Sequence, residues 1–81
     1  MPFLVRVPYL FNDYLDAAIV RFEGRHPGIR VLPSAEGVLL EGEAAQPADE
    51  LRSDFLHTLY REKIYAETLP MRQALMRAVL G

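Results

Sequence analysis

The run Ile29-Arg30-Val31-Leu32-Pro33-Ser34-Ala35-Glu36-Gly37-Val38-Leu39-Leu40-Glu41-Gly42-Glu43 decides the fold. Its two ends, Ile29 to Leu32 and Val38 to Glu43, have strand character. The Pro33-Ser34-Ala35-Glu36-Gly37 connection has the length and the glycine of a hairpin loop. On the N-terminal side, Phe3, Val5, Val7 and Tyr9 alternate with Leu4, Arg6 and Pro8, the period of two of a strand with one buried face. Pro8 has no N–H to give to a ladder, so this first strand lies at a sheet edge or finishes there.

Between that strand and the hairpin, Tyr14, Leu15, Ala18, Ile19 and Phe22 recur at helical spacing. Asn12 is the expected N-cap, and Asp13 and Asp16 place negative charge against the free amides of the first turn. Gly24 is the expected stop, with Pro27 and Gly28 beyond it. After the hairpin, Gln46-Pro47-Ala48-Asp49 turns the chain into a second helix. Leu51, Phe55, Leu56, Leu59 and Ile64, flanked by Tyr60 and Tyr65, form the broad apolar stripe of a core-facing helix. Thr68 suits the cap of a new turn, and Pro70 is tolerated within a first turn. A kink or a short break is therefore expected near Thr68. Leu75, Met76, Val79 and Leu80 continue an apolar face, and residues 69–80 either form a separate helix or extend the long one.

The order is strand, helix, strand, strand, helix. A right-handed crossover from the first strand to the second leaves room for the third between them. The predicted fold is α+β, a two-layer βαββα half-sandwich over residues 1–81 as a single domain. It has a three-stranded antiparallel sheet in order 1-3-2, helices on one face and a long kinked C-terminal helix. This is a ferredoxin-like arrangement without its fourth strand. The Phe3 to Tyr9 edge is left unpaired, and such an edge can accept a strand from a peptide or a second copy.

A chain of 81 residues buries only about 60% of the surface it exposes when unfolded. Its hydrophobic content of 51% excludes disorder and leaves apolar area for a partner or a second copy to cover, so a homodimer is expected. There are no cysteines, which rules out disulfides and thiolate metal sites and favours a cytoplasmic setting. Arg6 and Pro8 interrupt the apolar N-terminus before a signal-peptide core forms, and no run approaches the length of a membrane span. Net charge is −2, with four Lys/Arg against six Asp/Glu in residues 1–46 and five against five afterwards. That distribution holds no basic stripe for phosphates, so nucleic acid is not an expected partner.

No complete catalytic set is present. His26 sits in the turn sequence Gly24-Arg25-His26-Pro27-Gly28 and reads as a solvated loop residue. Glu50, Asp54, His57 and Arg61 share one face of the second helix. Asp54 pairing with His57, and His57 with Arg61, accounts for them as a solvated face; the alternative is a small metal-binding protein or metal-dependent enzyme using Glu50, Asp54 and His57. Neither Ser34 nor Ser53 has a base in a motif around it. The scattered glycines form no phosphate loop, and Glu41 and Glu43 read as solvated strand charges. No cofactor is implied.

The segment from Arg61 to Arg72 remains. Glu67 and Arg72 flank the expected bend and are placed to bridge it, with Thr68 capping. The cluster either serves only to fix the bend or presents Arg61, Tyr65, Glu67, Thr68 and Arg72 as the candidate partner-binding residues. Tyr and Arg are the side chains that most often anchor protein interfaces.

Within residues 55–75, Phe55, Leu56, Arg61, Glu62, Ile64, Glu67, Thr68, Pro70 and Arg72 stand in an order that resembles the C-terminal signature of the small D protein of the His-Xaa-Ser peptide-modification system. The resemblance does not extend to the N-terminal half. It implies an accessory protein encoded beside radical SAM enzymes that modify a repeat-containing peptide, placed to present that peptide or to dock on the enzyme. That the protein is small and non-catalytic is expected from its length and the missing catalytic set. The expected function is thus recognition of a peptide or partner enzyme in peptide maturation.

Overall fold

The computed structural model describes residues 2–43 and 45–80. Strand β1 (Phe3–Arg6) leads through a 3₁₀ helix (Tyr9–Tyr14) into helix α1 (Leu15–Arg25), followed by β2 (Ile29–Ser34), β3 (Gly37–Gly42) and helix α2 (Ala48–Leu80). The sheet order is β1-β3-β2 with both pairings antiparallel, so the βαββα topology and the 1-3-2 order expected from the sequence are present. The β2–β3 turn is tighter than the five-residue connection expected. Ser34 pairs with Gly37 and Pro33 with Val38, leaving only Ala35 and Glu36 between the strands. Pro33 is tolerated because β2 is an edge strand.

Alternation sorts the sheet into two faces. Val5, Ile29, Val31, Val38 and Leu40 are buried together with Ala18 and Phe22 of α1 and Leu51, Phe55 and Leu59 of α2. Phe22 and Phe55 meet edge to face with ring centroids 5.4 Å apart, a favoured aromatic geometry. On the opposite face Leu4, Leu39 and Leu32 form a cross-strand row, with Leu4 and Leu39 half-buried and Leu32 exposed.

Three local expectations are corrected. Tyr9 does not extend the first strand: β1 ends at Arg6, and Tyr9 begins the 3₁₀ helix with its side chain 79% exposed. Asn12 does not cap α1, because it lies inside that 3₁₀ helix; α1 starts at Leu15 after an uncapped Tyr14, with Asp16 alone supplying acid in its first turn. Nor does Gly24 stop α1. The helix continues through Arg25, and the His26 N–H closes the end by donating to the Phe22 carbonyl at 3.0 Å.

The break near Thr68 is also absent. α2 is one helix of 33 residues with Pro70 inside it, about 50 Å long at 1.5 Å per residue. Pro70 has no N–H for the Ala66 carbonyl, and the neighbouring side chains bond the Ile64 and Tyr65 carbonyls one turn back. The Thr68 hydroxyl caps nothing; it donates to the Ile64 carbonyl at 2.9 Å.

Candidate partner-binding groove

The buried residues of α2 end at Leu59. Side-chain contacts with α1 and the 3₁₀ helix continue to Glu62 and Lys63, and beyond them the helix projects, giving the molecule its 53 Å long axis. Where α1 and the middle of α2 run side by side, charged side chains tie them together. Arg21 pairs with Glu62, and Arg25 pairs with Asp54 at 3.2 Å and also contacts the Thr58 hydroxyl. Thr58 is buried and gives its own proton to the Asp54 carbonyl at 2.9 Å.

These residues wall a cleft of about 310 Å³ lined by Arg21, Arg25, Thr58, Arg61 and Glu62. It shares Arg21, Arg61 and Glu62 with an adjoining recess of about 650 Å³ that continues past Ile64, Tyr65 and Thr68 to Arg72. Together they make one groove running from the α1–α2 junction onto the projecting half of α2. A further apolar hollow of about 460 Å³, between Arg72, Leu75, Met76 and Val79, prolongs it.

Four guanidinium groups line this path, and Glu62 is the single carboxylate among its lining residues. Arg21 and Arg25 are held by Glu62 and Asp54, whereas Arg61 makes no ion pair among the described residues. Arg72 lies over the Tyr65 ring, 3.7 Å from its centroid. It donates to the Tyr65 carbonyl at 2.7 Å and more weakly to the Thr68 hydroxyl at 3.4 Å. This clamp spans the turn in which Pro70 leaves the backbone ladder incomplete.

Of the five residues predicted to bind a partner, Arg61, Tyr65, Thr68 and Arg72 come together along the groove. Glu67 does not line it: the carboxylate pairs with Lys63 one turn back instead of bridging to Arg72. Sequence reasoning missed Arg21 and Arg25, whose four-residue spacing on α1 was visible but gains meaning only once α1 lies against α2.

The predicted reading of His26 as a solvated loop residue is overturned. Its side chain is largely buried, packed against Phe22 with ring centroids 4.5 Å apart and planes tilted by 36°, and Nε2 lies 2.6 Å from Asp54 Oδ2. Asp54 is therefore used by α1 and its following turn, and the expected Asp54–His57–Arg61 face does not form. His57 is exposed, and among the described residues no group of three His, Asp or Glu side chains is placed to hold a metal ion. No described helix is long and apolar enough to cross a membrane.

No family model, curated protein or solved structure matches this chain.

Proposed function

We propose that this chain is a small non-catalytic accessory protein that binds a peptide or protein partner along the α1–α2 groove and the projecting half of α2. The observation that carries this reading is the projection itself. From Ile64 to Leu80 the helix exposes Ile64, Tyr65, Leu69, Met71, Leu75, Met76, Val79 and Leu80. Large contiguous apolar surface on a small protein marks an interaction site, and an amphipathic groove of this kind suits a helical or extended ligand.

Charge narrows the ligand. The chain as a whole carries −2, yet the groove presents Arg61 and Arg72 beside apolar walls, and residues 68–80 contain arginines and no acidic residue. A partner with aliphatic anchors and flanking carboxylates complements that surface. The resemblance of residues 55–75 to the D protein of the His-Xaa-Ser system supports a maturing peptide or its modifying enzyme as that partner. The metal-dependent alternative on Glu50, Asp54 and His57 draws no comparable support, since Asp54 is engaged by His26 and Arg25.

Titration with a fluorescent helical peptide bearing leucines on one face and glutamates beside them tests the reading, with a lysine-for-glutamate version as control. Saturable binding of the acidic peptide that weakens with salt, and none of the basic one, is the expected result. Equal binding of both, or of neither, sinks it.

A further inference from the structure

The two edges of the sheet are not equivalent. In an antiparallel pair alternate residues exchange hydrogen bonds with the neighbouring strand, and those between them direct their N–H and C=O groups away. On β2 the outward set is Ile29, Val31 and Pro33. The Ile29 N–H donates to the His26 carbonyl at 2.9 Å, the Val31 N–H donates to Glu23 Oε2 at 2.9 Å, and Pro33 has no N–H. Every outward donor of β2 is thus consumed or missing, and that edge is closed to an added strand.

On β1 the Val7 N–H donates inward to the Glu36 carbonyl at 3.1 Å. This places Phe3 and Val5 inward as well, opposite Leu40 and Val38. Leu4 and Arg6 therefore direct their N–H and C=O groups outward, and the described residues supply neither N–H with an acceptor. Pro2 and Pro8, which have no donor, bracket them.

We propose that this edge is where a second copy of the chain joins, β1 against β1, antiparallel about Val5. The segment Pro2-Phe3-Leu4-Val5-Arg6-Val7-Pro8 is close to self-complementary when reversed. Centring it on Val5 sets Leu4 of one copy opposite Arg6 of the other, twice, and these pairs exchange four N–H···O=C bonds. The next outward position at each end sets proline opposite proline, so the ladder stops without stranding a donor. A two-fold interface needs the same patch to complement itself, and a peptide of arbitrary sequence would not need this symmetry.

Side chains agree with the pairing. The two Arg6 residues lie diagonal to one another, and each keeps Glu36 of its own chain nearby at 4.0 Å. On α2, Arg52 lies over Phe3 and Lys63 over Phe11, which marks the flank of the helix nearest this edge. Leu56 and Tyr60 share that flank by helical spacing and are 36% and 54% exposed. A second copy, adding a continuous six-stranded sheet, brings its own helix layer against them. This interface is separate from the groove proposed above and stands or falls independently of it.

Light scattering across a dilution series, together with site-directed cross-linking, tests the proposal. The wild type should dimerise with concentration, and Leu4→Pro, which removes one outward N–H and no internal one, should be monomeric with an unchanged circular dichroism spectrum. The second arm does not depend on that variant folding. Mixing Leu4→Cys protein with Arg6→Cys protein should give a disulfide-linked pair under mild oxidation, because directly opposed hydrogen-bonded residues sit about 5.5 Å apart at Cα, within disulfide reach. Neither variant alone should cross-link to the same extent. A monomer at every concentration, a Leu4→Pro dimer, or mixed cross-linking no greater than that of either variant alone overturns the proposal.

Discussion

His26 Nε2 lies 2.6 Å from Asp54 Oδ2, and this contact fastens the turn after α1 to the second turn of α2. Asp54 also takes Arg25 at 3.2 Å, so one carboxylate anchors the last residue of α1 and the residue after it. Asp54→Ala should therefore destabilise the fold by about 1–2 kcal/mol. The figure is at the low end for hydrogen bonds to charged groups, since the side chain is still 29% exposed. His57→Ala, one turn away and exposed, should shift stability by less than about 0.5 kcal/mol. Urea denaturation of the two variants checks the contrast, and equal midpoints would show that Asp54 anchors nothing.

Two glycines predict opposite outcomes for the same substitution. Gly42 has φ +125°, and a Cβ there would stand 2.1 Å from the Gly28 carbonyl oxygen, a backbone atom that cannot swing aside. Gly42→Ala should cost at least about 2 kcal/mol and separate β3 from the start of β2. Gly24 lies within α1 and a Cβ there meets nothing within 4 Å. Gly24→Ala should stabilise by about 0.5–1 kcal/mol through helix propensity. Thermal unfolding of both proteins reads the sign directly.

These contrasts show which parts of the molecule are legible in its sequence. The sheet was readable because its cues are local: the alternation through Val5, the glycine after Glu36 and the branched residues on either side. Topology then followed from crossover handedness. The 3₁₀ helix was not readable, because Asn12 has cap chemistry wherever it stands and only the extended Pro8 backbone, with ψ 141°, fixes where the chain turns. His26 was misread for a related reason. Its glycine- and proline-rich neighbourhood has turn composition, and its burial depends on Phe22 and Asp54, the latter 28 residues away. The groove was half legible: Arg61, Tyr65, Thr68 and Arg72 share a helix face by spacing, whereas Arg21 joins them only through tertiary packing.

Pro70 occupies a helix interior that the fold carries without breaking. A proline there is about 3 kcal/mol less favourable than alanine, and because Leu69 and Met71 are exposed, little core packing registers the difference. Pro70→Ala should therefore restore the Ala66 carbonyl bond and slow amide exchange in residues 66–78 by roughly tenfold or more, with the global unfolding midpoint nearly unchanged. Hydrogen exchange resolved by residue makes the measurement. Unaltered exchange would mean that the proline imposes no local cost.

Arg72 gives the sharpest test of the groove. Its guanidinium stacks on Tyr65 and bonds the Tyr65 carbonyl, and it also lines the path through which the groove continues onto the projecting helix. The surrounding helix is outside the core, so Arg72→Glu should change global stability by less than about 0.5 kcal/mol while weakening an acidic partner by tenfold or more. Arg72→Lys separates charge from shape. Lysine keeps the positive charge but has neither the planar stack nor the forked donors, so it should recover only part of the lost affinity. Anisotropy titrations of the three proteins with the acidic helical peptide decide the matter, and indistinguishable affinities would remove Arg72 from the binding surface.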